Sequence, residues 1–142
     1  FFFSDNHMDY LKNLVAERNL DDRIIFTGFR ADVRPCLKDF DIFVIPSAYP
    51  DPFPRSVIEA MAFALPVVGF HAGGIVESVD DGVTGLLNES GNAEKLGLSV
   101  LELVEDPALR ERMGRAGRER VKKHLQASDL TARIQENILE VA

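Results

Sequence analysis

The sequence has a single cysteine, Cys36, among its 142 residues. One thiol excludes an internal disulfide and a cysteine-rich metal site, and is compatible with a reducing compartment. Excess positive charge is also missing. Lysine and arginine number 16 against 23 aspartates and glutamates, a net charge of −7. That balance argues against sequence-independent attachment to nucleic acid. No apolar run is long enough to span a bilayer, and the opening FFFSDN lacks the basic flank and length of a signal peptide. Internal repeats and low-complexity segments are lacking as well.

What is present is an ordinary globular balance, 46% hydrophobic and 27% charged, in a chain long enough for one domain with a substantial core. Short apolar runs alternate with helical patterns. Phe1–Phe3 reads as a strand cut from a longer protein, and Arg23–Thr27 (RIIFT) as another. Ile42–Ile45 (IFVI) is continuously apolar, which predicts a strand covered on both faces. Pro66–Phe70 and Thr84–Leu87 complete the strands. Helices are predicted over Met8–Arg18, from an Asp32 cap through Lys38, and over Ser56–Leu65, Ile75–Val79, Ala93–Val104, Pro107–His124 and Asp129–Glu140. The expected fold class is α/β: a Rossmann-like parallel sheet with helices on both faces and a helical tail.

Ligands of open parallel sheets bind beyond the carboxyl ends of the strands. Two segments fall there: PSAYPDPFPRS after IFVI, and HAGG after PVVGF. Pro50, Pro52 and Pro54 stiffen the first and remove amide donors. Pro54 suits a first helical turn, and the amides of Arg55, Ser56 and Val57 are expected to project from the helix start as anion donors. Gly73 and Gly74 would let a second helix start approach a ligand closely. Glu59 is the one charge after Arg55 in an apolar helix, which suggests a mostly buried element. Two readings of it stand. It is an i,i+4 ion-pair partner of Arg55, or its two oxygens accept hydrogen bonds from ligand hydroxyls such as those of a ribose.

Other residues favour plainer roles. Pro107–His124 holds seven basic and two acidic residues with no interleaved aromatics, the pattern of a solvated helix face rather than a nucleic-acid surface. His71 stands where it could touch a ligand and is equally well an ordinary loop histidine. Cys36 reads as a small, partly buried residue and Glu77 as a structural group for the glycine loop.

The segments FTG at Phe26–Gly28, DIFVIPS at Asp41–Ser47, Asp51-x7-Glu59 within DPFPRSVIEAMAFALPVV, GGIVE at Gly73–Glu77 and DGVTGLL at Asp81–Leu87 occur in an order that resembles the carboxy-terminal half of a family 4 glycosyltransferase of the GT-B fold. The resemblance runs from about Asp22 to Lys123. It implies a single donor-binding domain over residues 1–142, truncated on its amino-terminal side. The first strand with its basic diphosphate ligands, and the amino-terminal acceptor domain, would lie upstream. It further implies that Glu59 and Asp51 are the catalytic-site carboxylates, Glu59 holding the ribose of a nucleotide sugar and Asp51 lying near the transferred sugar. Phe53, Arg55, Ser56, Val57, Gly73 and Gly74 would bind the donor, and Phe29 and Arg30 would contact the base. Asp51 is a methylene shorter than the glutamate usual there. Pro54 replaces a glycine and cannot donate an amide hydrogen bond.

The function implied is transfer of a hexose, with retention, from a UDP- or GDP-sugar to a glycan, lipid or small acceptor. No metal or cofactor is expected. The implied setting is cytoplasmic, with attachment to the inner face of a membrane open for the whole protein. The isolated chain is expected to be inactive and to self-associate through an exposed sheet edge. A non-catalytic nucleotide-sugar module and a sugar-nucleotide epimerase on the same fold are the alternatives.

Overall fold

The structure is a computed structural model that describes residues 5–47, 52 and 54–124. The strand expected at Phe1–Phe3 and the helix expected at Asp129–Glu140 lie outside the described residues. The chain divides into two compact units, Phe1–Val33 and Arg34–Ala142.

In the first unit, α1 spans Asp5–Glu17, with the His7 and Tyr10 rings stacked at 6.2 Å. The helix stops at Asn19, whose φ is +52°, and the Leu20 amide returns to the Val15 carbonyl at 3.0 Å. Asparagine tolerates this left-handed terminus better than most residues do. The RIIFT segment forms no strand. It runs on irregularly, with Ile25 84% and Phe29 96% exposed. Its residues suit a pleat, but a strand exists only against a neighbour, and none pairs with it among the described residues.

The second unit carries the sheet. Its elements are α2 (Arg34–Lys38), β1 (Phe43–Ile45), α3 (Arg55–Ala62), β2 (Val67–Phe70), α4 (Ile75–Ser78), β3 (Gly85–Asn88), α5 (Ala93–Glu105) and α6 (Pro107–His124). The three strands are parallel in the order β1-β2-β3, with Phe43 opposite Val67 and Val67 opposite Gly85. β2 is central and buried along its whole length.

Alternation along β2 sends side chains to two cores. Val67 joins Val57 and Met61 of α3 and Ile75 of α4, with Val79 just beyond it, on one face. Val68 and Phe70 meet Leu96 and Leu103 of α5 and Met113 of α6 on the other. Helices on both faces are thus observed. β1 departs from the expectation of full cover: Val44 is 40% exposed, and the edge of β1 away from β2 has no strand beside it among the described residues. Its apolar run reads as central, but the cover it needs on the Val44 side is not supplied by the neighbouring elements described.

Local chemistry sets the boundaries. α3 ends earlier than expected because Ala64 takes φ +60° and the Leu65 amide bonds back to the Ala60 carbonyl at 3.1 Å. Leu65 also precedes Pro66, which disfavours helical backbone there. The Asn92 side chain caps α5 by accepting the Lys95 amide at 3.0 Å. The Asp106 carboxylate accepts the Leu109 amide at 2.9 Å, and Pro107 occupies the first turn of α6. Gly114 brings α6 against the Ala64 carbonyl so closely that a Cβ would collide with it.

Candidate functional site

Parallel β1 and β2 deliver two loops to the same end of the sheet. One leads from Ile45 to the start of α3, the other from Phe70 to the start of α4. Val57 of α3 and Ile75 of α4 share one core, so the two helix starts are carried by packed elements. The structure therefore brings Arg55, Ser56 and Glu59 to the same side of the fold as Gly73 and Gly74. Asp51 and Phe53 lie outside the described residues. Phe29 and Arg30 are both exposed in the first unit.

The start of α3 differs from expectation in one donor. Pro54 caps the helix in an extended conformation, φ −72° and ψ 97°, with no side-chain cap bond. The Val57 amide donates to the Pro54 carbonyl at 3.0 Å, so it is not free for a ligand, and the Val57 side chain is in the core. Arg55 and Ser56 are exposed.

Glu59 is not buried. Its side chain is 44% exposed and lies 3.8 Å from the Arg55 guanidinium, itself 86% exposed. The apolar neighbours suggested cover all round. Instead α3 buries Val57, Ala60 and Met61 and leaves Glu59 on the half-open side. A pair this exposed contributes little to stability, at most about 1 kcal/mol, and leaves the carboxylate accessible to a ligand.

The glycine segment is closely tied. Gly73 has φ +49°, a conformation that favours glycine, and Gly74 caps α4. The Ile75 amide donates to the Ala72 carbonyl at 3.2 Å, and His71, which is exposed, anchors the loop base through its amide to the Asn88 carbonyl at 2.7 Å. The side chain that closes onto the loop is Ser78 rather than Glu77: its hydroxyl, fully buried, donates to the Gly74 carbonyl at 3.1 Å. The far end of α4 is held by Arg120. Its Nε donates to the Ser78 carbonyl and its Nη2 to the Glu77 carbonyl, each at 2.9 Å. Sequence reasoning missed this residue because nothing in a basic helix marks one arginine among seven cations.

The other charges of α6 divide accordingly. Arg115 pairs with Glu111 and Lys122 with Glu119, both at 2.7 Å and exposed, as a solvated face requires. The Lys122 hydrogen bond, reinforced by its charge, holds the Glu119 carboxyl below the usual carboxylate range. Among the described residues no cluster of histidine, cysteine, aspartate or glutamate could hold a metal ion, and no helix is long and apolar enough to cross a membrane. An open groove of about 370 Å³ lies at the opposite end of the sheet, lined by Phe40, Asp41, Phe63, Pro66 and Arg110 among others.

Comparison with known proteins bears on this arrangement. Residues 4–120 match the family described as glycosyl transferases group 1. The chain belongs to that family. It is 32% identical over 111 residues to the lipopolysaccharide core biosynthesis glycosyltransferase LpsE of Rhizobium meliloti, covering 78% of this chain and 32% of that protein. Among solved structures, Anabaena Alr3699/HepE in complex with UDP-glucose superposes with a TM-score of 0.89 at 27% identity, over 98% of this chain and 38% of that one. The C-terminal domain of the group 1 glycosyltransferase LpcC from Francisella tularensis superposes with a TM-score of 0.79 at 27% identity, over 87% of this chain and 64% of that one. The fold is that of GT-B glycosyltransferases. The chain spans about a third of the length of LpsE.

Proposed function

We propose that this chain is the donor-binding domain of a retaining glycosyltransferase that moves a hexose from a UDP- or GDP-sugar to a glycan, lipid or small acceptor. The observation that carries the reading is the pairing of an accessible carboxylate on α3 with a glycine segment at the start of α4, the two helices following adjacent parallel strands. Family membership and likeness to a protein crystallised with UDP-glucose support it.

In this reading Glu59 accepts the ribose hydroxyls, and Asp51 those of the transferred sugar. The Arg55 and Ser56 amides, with the positive end of the α3 dipole, face the diphosphate. Gly73 and Gly74 admit the donor without a side chain in its path, Phe53 also binds the donor, and Phe29 and Arg30 contact the base. The acceptor is bound by a further domain of a longer protein. Proximity of the two substrates across such a cleft supplies much of the rate.

Titration calorimetry with UDP-glucose, UDP and the corresponding GDP pair tests the assignment. A hydrogen bond to a charged group is worth about 1.5–3 kcal/mol, so Glu59→Gln should weaken both nucleotide and sugar nucleotide roughly ten- to a hundredfold while the thermal midpoint holds. Asp51→Asn should weaken only the sugar nucleotide. Equal affinities for wild type and Glu59→Gln would reduce Glu59 to an ion-pair partner of Arg55.

A further inference from the structure

Helix α4 is a single turn, and a single turn has no stability of its own. Its four residues must be held from outside, and whatever holds them also fixes Gly73 and Gly74 at its start. Three contacts do so. Ile75 is in the core, with Val79 immediately after the turn. The Ser78 hydroxyl reaches back to the Gly74 carbonyl. Arg120 donates from two guanidinium nitrogens to the carbonyls of Glu77 and Ser78. Those carbonyls belong to the last turn, where a helix leaves acceptors unpaired, and the cation also complements the negative end of the helix dipole.

Helix α6 touches the other ligand segment too. Gly117 packs on Met61, and Gly114 on the Ala64 carbonyl, so α6 is seated against α3 and the turn that ends it. One helix thus binds both the element bearing Glu59 and the element that follows Gly74. We propose that Arg120 is a positioning residue for the donor site, transmitting the seat of α6 on α3 to the glycine segment through the carboxyl end of α4. The proposal rests on the donor-site reading given above.

The same helix supplies a matched control. Arg110, about 15 Å back along α6, caps the end of α5 in a related way, its one Nη1 donating to the carbonyls of Leu103 at 2.9 Å and Val104 at 3.4 Å. It lines the groove with Asp41 and Pro66, at the end of the sheet away from the glycine segment. Removing either arginine strips the carboxyl end of a helix of a guanidinium cap on two carbonyls, but only one of those helices follows the glycine segment of the proposed donor site.

The experiment is hydrogen exchange over residues 71–79, read by mass spectrometry, together with titration of UDP-glucose and of a GDP-hexose, on wild type, Arg120→Ala, Arg120→Lys and Arg110→Ala. Arg120→Ala should exchange faster over 71–79 and bind the sugar nucleotide about tenfold more weakly. Arg120→Lys keeps the charge but not the planar fork, and should fall between. Arg110→Ala should lose thermal stability and keep both wild-type exchange over 71–79 and wild-type affinity. The proposal is overturned if Arg120→Ala matches wild type in exchange and affinity, or if Arg110→Ala weakens binding equally. If Arg120→Ala does not fold, Arg120→Lys carries the same comparison. A wild-type chain that binds neither sugar nucleotide would instead overturn the donor-site reading, whatever the exchange shows.

Discussion

The two ends of the sheet are built differently. At the amino-terminal end, the turn from α3 to β2 is pressed beneath α6, with Gly114 on the Ala64 carbonyl and Arg110 on the end of α5. At the carboxyl end, Arg55, Ser56 and His71 are exposed, Glu59 is half-buried, and a one-turn helix takes its last hydrogen bonds from a distant arginine. At the first end the contact between Gly114 and the Ala64 carbonyl tolerates no added atom. The second has accessible polar groups and backbone conformations that need outside support. Parallel sheets separate stability from ligand binding in this way because every strand delivers its loop into a helix at the same end.

The largest effect expected from breaking that contrast is at the packed end. Gly114→Ala places a Cβ against a carbonyl that cannot move without shifting α3 or β2. It should cost about 3 kcal/mol or more, read as a fall in the denaturant midpoint. A stability within error of wild type would show that α6 can shift away from the Ala64 carbonyl at little cost. Next come substitutions at Glu59 and Asp51, the proposed donor-site carboxylates, and at Arg120, whose expected signature is the reverse: affinity falls much more than stability.

Ala64→Gly should act in the opposite direction to Gly114→Ala. An alanine at φ +60° carries a left-handed penalty that glycine does not, so the change should stabilise by about 1 kcal/mol, seen as a higher thermal midpoint with sugar-nucleotide affinity unchanged. A lower midpoint would mean that the Ala64 methyl contributes more in packing than its backbone loses.

The smallest effect concerns Glu119, which belongs to neither end. Its folded carboxyl is held below the usual range by Lys122, so the associated stability is present above the unfolded carboxylate range and is lost as pH falls through the folded value. The group is fully exposed, and screening leaves little of that stability to measure. Lys122→Ala should raise the Glu119 titration midpoint toward the ordinary value, followed by NMR, with no change in thermal midpoint at neutral pH. An unmoved titration would remove Lys122 as the cause.

Much of this architecture is legible in the sequence. IFVI, PVVGF and TGLL are apolar runs separated by helical patterns, and each forms a strand within a residue or two of its expected bounds. RIIFT carries the same signal and fails, because residue type declares a preference for a pleat and says nothing of whether a neighbour is present. The apolar residues beside Glu59 in sequence suggest a buried helix, whereas the exposure of Glu59 depends on where α3 sits relative to the sheet. A helix start leaves the Val57 amide free by position alone, but Pro54 turns its own carbonyl toward it. Arg120 was not legible at all. Its partners are backbone carbonyls, and a carbonyl leaves no mark in the sequence.

The span between Arg120 and α4 also orders events in time. Its bonds to Glu77 and Ser78 join residues 43 and 42 positions apart. A growing chain on the ribosome carries the glycine segment well before the residue that secures it has been made. Ile75 and Val79 can collapse onto the strands as soon as those exist, yet the loop keeps the freedom of an unsecured single turn until α6 emerges and docks. The proposed donor site is therefore completed from downstream.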